Sequence, residues 1–232
     1  FGKKELIIRI NAEDTVWRAD DLEAALCAAP DAILLPKVAS ADTLLRVDDR
    51  LQKSGSADHI RLWAMIETPK AILNIQSIAA AARGGLGRLE CFVIGTNDLA
   101  KESRARITAG RAAMIPWLMT ALAGARSEGI DIVDGVFNAI GDIDGFHDEC
   151  AQGRDCGFDG KTLIHPEQID VANAVFAPTE QEIADARAIV EAFQLPENTG
   201  KGAINLNGRM VEKLHAEIAL RLLDLAAAIA EK

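Results

Sequence analysis

The chain has 232 residues, 49% of them hydrophobic and 26% charged, with a formal charge of -10. Such a length supports one large domain sooner than two small ones, and the composition is that of a folded globular protein rather than a disordered one. The acidic surplus speaks against general nucleic-acid binding, which needs a basic face, and no run approaches the roughly 20 apolar residues that span a bilayer.

The opening FGKKELIIRIN lacks the pattern of a signal peptide. Cys27, Cys91, Cys150 and Cys156 form no CxxC pair and no Cys/His zinc spacing, so reduced thiols in a cytoplasmic protein are expected.

Apolar runs of strand length recur in chain order: ELIIRI (5 to 10), DAILLPKV (31 to 38), RLWAMIE (61 to 67), LECFVIG (89 to 95), IDIVDGVF (130 to 137) and FDGKTLI (158 to 164). Most are near-continuous rather than alternating, as in strands covered on both faces, which predicts a parallel sheet. Stretches of helical period separate them. Asp20 with Glu23, and Thr179 with Glu182, fit an N-cap answered by a carboxylate three residues on. Thr68 can cap and Pro69 suits the first helical position, after which Ile72, Ile75 and Ala79 share a face.

Strands alternating with helices give either an open doubly wound sheet or a (β/α)8 barrel. Neither GxGxxG after the first strand nor GxxxxGK[ST] occurs, so the expected fold is α/β, a TIM (β/α)8 barrel. Eight strands close such a barrel and six runs are present, so the chain is expected to lack the first two. Residues 1–178 then form the barrel domain and 179–232 a C-terminal helical extension without strands. In that extension Ile183, Ala186, Val190 and Phe193 line one face of a helix, and a link, LPENTGKG, follows. A last helix, roughly 210 to 231, carries the stripe Leu214, Ile218, Leu222, Leu225 and Ile229. The extension is expected to fold over the barrel mouth or onto a neighbouring subunit.

Barrels carry functional groups at the C-terminal ends of their strands. Those positions hold Arg9 and Asn11, Lys37, Glu67, Asn97 and Asp98, Asp134, and His165. Neighbouring strands lie about 4.8 Å apart, so Glu67 and Asp98 could reach one point. Two carboxylates that close repel each other unless a cation lies between them, and magnesium is commonly held by one or two carboxylates with water and substrate completing its shell. The competing arrangement is an ion pair of Glu67 with Arg9 or Lys37, with Asp98 as a helix N-cap. Arg9 is shaped to grip a carboxylate in a bidentate fork. Asp134 and Lys161 read as charge-pairing groups, and His165 as a hydrogen-bonded rim residue. Lys3, Lys4, Lys37 and Lys101 could meet phosphates or be solvated surface charges.

LIIRIN, AILLPKV, AMIETPKAILN, VIGTNDLAKE and GFDGKTLIHPEQI followed by GAINLNGRMVE resemble, in that order, the citrate lyase β-subunit-like family of CoA-ester lyases. That family includes malyl-CoA and citramalyl-CoA lyases and sits in the wider HpcH/HpaI aldolase superfamily. GTNDL and IHPEQI favour the CoA-ester branch over the simple aldolases. The resemblance implies a (β/α)8 barrel in a homotrimer or dimer of trimers, with magnesium, or manganese in its place, on Glu67 and Asp98, and Arg9 on the oxo-acid part of the substrate. It also implies two further N-terminal strands. One position departs from it: where relatives read GxMID, with the Asp reaching a neighbouring subunit's site, this chain reads GRMVE and places Glu212 there. The added methylene shifts a carboxylate by about 1 Å, enough to cost on the order of 10²-fold in rate if uncorrected.

The implied reaction is retro-Claisen cleavage of a malyl-CoA or citramalyl-CoA type ester to acetyl-CoA and a 2-oxo acid, or its reverse, with Glu212 as the base and Arg9 holding the developing charge. The alternatives are a thioesterase using the same site and a citrate lyase β-like subunit active only within a complex.

Overall fold

The structure, a computed structural model, describes residues 4–55, 58–83 and 87–231; Lys3 lies outside them. It divides into two compact units, Phe1–Ala172 and Asn173–Lys232.

The first unit alternates strand and helix: β1 (Ile7–Arg9), α1 (Arg18–Ala28), β2 (Ala32–Leu35), α2 (Ala41–Ser54), β3 (Arg61–Ile66), α3 (Pro69–Leu73) and α4 (Ile75–Ala80). It continues through β4 (Leu89–Ile94), α5 (Thr96–Ser103), α6 (Ile115–Glu128), β5 (Asp131–Asp134), α7 (Ile143–Cys156) and β6 (Gly160–Lys161). The six strands form one sheet in the order β1-β2-β3-β4-β5-β6, and every neighbouring pair is parallel. Sequential parallel order is what right-handed β/α crossovers produce, and it sets all the strand C-termini at one end.

Register fixes which side chains share a face. Arg9 pairs with Leu34, Leu34 with Trp63, and Met65 with Val93, which pairs with Val133. Alternation along each strand then puts Arg9, Trp63, Met65 and Glu67 on one face. The other face carries Ile33, Leu35, Leu62, Ala64, Ile66, Phe92, Ile94 and Ile132, all buried. They form the core between sheet and helices. Val133, Leu34 and Trp63 on the first face are only half-buried.

Two helix starts differ in how they meet expectation. Thr68 caps α3 through its hydroxyl, which accepts from the Ala71 N–H at 3.0 Å, and Pro69 takes the first helical position. Ile72, Ile75 and Ala79, expected on one face of a single helix, are all buried, but a break at Asn74 divides that helix into α3 and α4. Asp20 is not an N-cap. Helix α1 starts two residues earlier, at Arg18, and Glu23 instead meets Arg50 at 2.6 Å, while Asp21 accepts from both the backbone and side chain of Asn11. Those partners on other segments outcompete a local cap.

Helix α8 (Gln168–Phe176) runs across the division between the units. In the second unit α9 (Glu180–Gln194) begins with the expected capping box of Thr179 and Glu182. The expectation of helix without strands is corrected by a hairpin of β7 (Ala203–Leu206) and β8 (Arg209–Glu212). Asn207 and Gly208 turn it with φ of 51° and 82°, the two left-handed residues of a type I′ turn. Ile204 and Val211 pack with Ala192, Ile189 and Phe193. The last helix, α10 (Lys213–Ala230), starts three residues later than expected because 210–212 belong to β8.

Candidate active site

Glu67 follows the last residue of β3, and its neighbour across the ladder is the exit of β4, where the Gly95 N–H donates to the Ile66 carbonyl at 3.1 Å. The residue is only 3% exposed. Its Oε1 accepts the backbone N–H of Lys37 at 2.7 Å, and its Oε2 lies over Gly95 with no hydrogen-bond partner among the described residues. Oε2 is not among the buried polar atoms left without a partner, so this oxygen stays open to water, and a cation could take the water's place.

The competing arrangement is not what forms. Glu67 makes no salt bridge to Arg9 or Lys37 among the described residues, and Lys37 offers only its backbone N–H. Both cations have exposed side chains. Nor is Asp98 an N-cap: Gly95 holds that position, and Asp98 stands in the first turn of α5, where the helix dipole favours negative charge. Asp98 is close enough for its charge to act on Glu67.

Burial pushes the Glu67 carboxyl above the usual range, and the charge of Asp98 adds to this, while the Lys37 N–H and the charges of Arg9 and Lys37 oppose it. A carboxyl raised in this way binds its proton more tightly folded than unfolded. Its contribution to stability is therefore complete below the ordinary carboxyl range and is lost as pH rises through the raised value. A cation competes with that proton. Divalent-cation affinity is expected to fall as pH is lowered through the raised value, and Mn2+ titrations over a series of pH values check it; affinity independent of pH would contradict a buried Glu67 ligand.

Among the described residues no cluster of three or more His, Cys, Asp or Glu could hold a metal. A cation here would rest on two carboxylates. That donor set is hard and oxygen-only, which fits magnesium and leaves places for water and substrate, whereas zinc would want nitrogen or sulfur.

The other strand-end residues sort themselves by partner. Asn97 and Asn138 exchange amide hydrogen bonds at 3.1 and 2.7 Å, bridging the exits of β4 and β5. Asp134 faces the helices, fully buried, with both oxygens on Arg111 Nη1 at 2.8 Å and one on Lys161 Nζ at 2.9 Å. Lys161 also meets Glu149 at 2.7 Å, so Asp134 and Lys161 are charge-pairing groups, as expected from sequence. His165 accepts the Glu167 N–H through Nδ1 at 3.3 Å. Sequence reasoning missed Gln168, whose amide joins Ile164 N–H to the Phe137 carbonyl, and Arg111, whose loop has no periodicity to mark it. The cysteines are free; burial raises Cys91 and pushes Cys150 up to about 11, which keeps both thiols protonated and inert. In the second unit, the Glu212 N–H donates to His215 Nδ1 at 3.0 Å, and its carboxylate is part of the box opening α10.

The model of the HpcH/HpaI aldolase/citrate lyase family matches residues 2–166. The chain belongs to that family. Among its relatives is the (3S)-malyl-CoA thioesterase of Cereibacter sphaeroides, 45% identical over 230 residues that cover 99% of this chain and 77% of the relative. Citrate lyase subunit beta of Escherichia coli is 34% identical, covering 90% of this chain and 69% of its own. The crystal structure of CitE from Mycobacterium tuberculosis in complex with magnesium, acetoacetate and coenzyme A has a TM-score of 0.75 at 27% identity, covering 95% of this chain and 78% of that one. Within this family the sheet of the first unit is a curled parallel arc, consistent with part of a TIM-barrel-like fold.

Proposed function

We propose that this protein is a magnesium-dependent enzyme acting on the CoA thioester of a hydroxy acid, cleaving or forming the carbon-carbon bond of malyl-CoA or citramalyl-CoA. The observation that carries the reading is the free Oε2 of buried Glu67, on the same sheet face as Arg9 and within reach of the charge of Asp98. The relatives support the choice of substrate class: one is a (3S)-malyl-CoA thioesterase and another was crystallised with magnesium, acetoacetate and coenzyme A. Manganese would serve in magnesium's place.

Magnesium held by Glu67 and Asp98 would supply Lewis acidity toward the substrate's carboxylate and hydroxyl oxygens. Arg9, at the end of β1, would hold the carboxylate of the oxo-acid part in a bidentate fork and keep its carbonyl carbon in place. Glu212, from a neighbouring copy, would accept the hydroxyl proton. The carbon-carbon bond then breaks, its electron pair passes to the α-carbon of the acetyl-CoA fragment, and a proton returned there completes the products. Arg9 would also hold the charge that develops as the bond breaks, and loss of a donor in that role costs roughly 3 to 4 kcal/mol. The reading includes a homotrimer or dimer of trimers, with the extension 179–232 serving a neighbouring mouth. It places the protein in the cytoplasm, which the free thiols suit.

The 45% identical thioesterase favours a second reading, hydrolysis of the thioester at the same site. Product analysis with malyl-CoA and magnesium decides between them. Acetyl-CoA with glyoxylate supports the lyase; free CoA with malate supports hydrolysis; turnover only on adding a partner protein supports a citrate lyase β-like subunit.

A further inference from the structure

Gly95 separates β4 from α5, and its backbone conformation, φ -103° and ψ 77°, is open to residues other than glycine. Conformation therefore does not explain the glycine; space does. A Cβ at this position would sit 2.5 Å from Glu67 Oε2 and 3.2 Å from its Cδ, and closer still to its Cβ. Rotating the carboxylate away would not relieve the last contact, because the Glu67 Cβ is fixed by the β3 backbone.

On the other side, Lys37 holds a left-handed φ of 51°, uncommon for a residue with a Cβ. In that conformation its N–H reaches Glu67 Oε1. The carboxylate is thus held by a donor on one oxygen and by a hollow under the other.

We infer that Gly95 is a positioning residue for the metal ligand: the missing side chain leaves the seat in which the Glu67 carboxylate lies, committing Oε1 to Lys37 and presenting Oε2 alone to the cation. Glu67 is then a one-oxygen ligand, and Asp98 and substrate complete the rest. The inference rests on the reading of Glu67 as a ligand.

Mn2+ binding to the full chain, followed by electron paramagnetic resonance without substrate, tests it apart from turnover. Gly95→Ala is expected to lower Mn2+ affinity on the order of 10- to 100-fold while keeping the circular dichroism of the parent. Glu67→Asp, which keeps the ligand chemistry and withdraws the carboxylate from seat and donor, is expected to do the same, and it decides the matter if Gly95→Ala does not fold. Parental affinity in a folded Gly95→Ala protein, or in Glu67→Asp when the alanine variant is unfolded, overturns the inference. Glu67→Gln separates the two levels: if it abolishes Mn2+ binding while Gly95→Ala does not weaken it, only the seat is wrong. If the parent binds no Mn2+, or Glu67→Gln binds it as the parent does, the ligand reading fails and takes the seat with it.

Discussion

Glu67→Gln is expected to remove magnesium-dependent turnover, by more than the roughly 10- to 100-fold that changes behind a ligand cost, and to leave the fold intact. The substitution is nearly isosteric. Its amide oxygen can still accept the Lys37 N–H now taken by Oε1, so the exits of β2 and β3 stay tied. What changes is the group over Gly95, where a nitrogen donor replaces the oxygen offered to a cation. Stability should move the other way from activity. Burial already raises the carboxyl, so a neutral group costs less there, and in a chelator at neutral pH the variant should unfold at no lower denaturant concentration than the parent. Turnover at the parental rate would remove Glu67 from the mechanism; lost activity together with a large loss of stability would make it a structural residue instead.

Asp134→Ala is expected to be the most damaging substitution for stability, at about 3 to 5 kcal/mol, because it strips a partner from buried charges. Arg111 is 1% exposed and the Lys161 side chain 0%, so neither can turn to water. Among the described residues, Glu149 would then be the one carboxylate left to the two cations, at 3.5 Å and 2.7 Å. The contrast is Arg50 with Glu23, whose side chains are 42% and 53% exposed. An ion pair open to solvent contributes about 0 to 1 kcal/mol, so Arg50→Ala should barely register. Urea unfolding of the three proteins checks the order, and a loss below about 1 kcal/mol for Asp134→Ala would mean that the cluster relaxes or admits water.

The sheet was legible because strands covered by helices must be apolar along their length, and those runs stand out in the order they are used. Their ends were not. FDGKTLI shrinks to the two residues of β6, because Asp159 turns its carboxylate to the Ile132 N–H and Gln168 takes the N–H of Ile164. Side chains distant in sequence close that ladder. The hairpin of the second unit was there to be read: Asn207-Gly208 between short apolar runs is a strong local signal, overlooked because the flanking Pro, Gly and Asn residues suggested a link. Glu67 and Asp98 could be proposed from position alone, since one follows a buried strand and the other follows the next. Gly95, between them, could not be weighed without knowing that Glu67 lies across its backbone. Arg111 was hidden for a related reason: its partner Asp134 is 23 residues away, and nothing near it in the chain repeats.

The most direct measurement is the anomalous diffraction of crystals soaked in Mn2+. The account predicts one ion bonded to a single oxygen of Glu67, the one over Gly95, and to the carboxylate of Asp98, on the face of the sheet that carries Arg9. An ion bound elsewhere, or Glu67 and Asp98 turned apart with no ion between them, would contradict it.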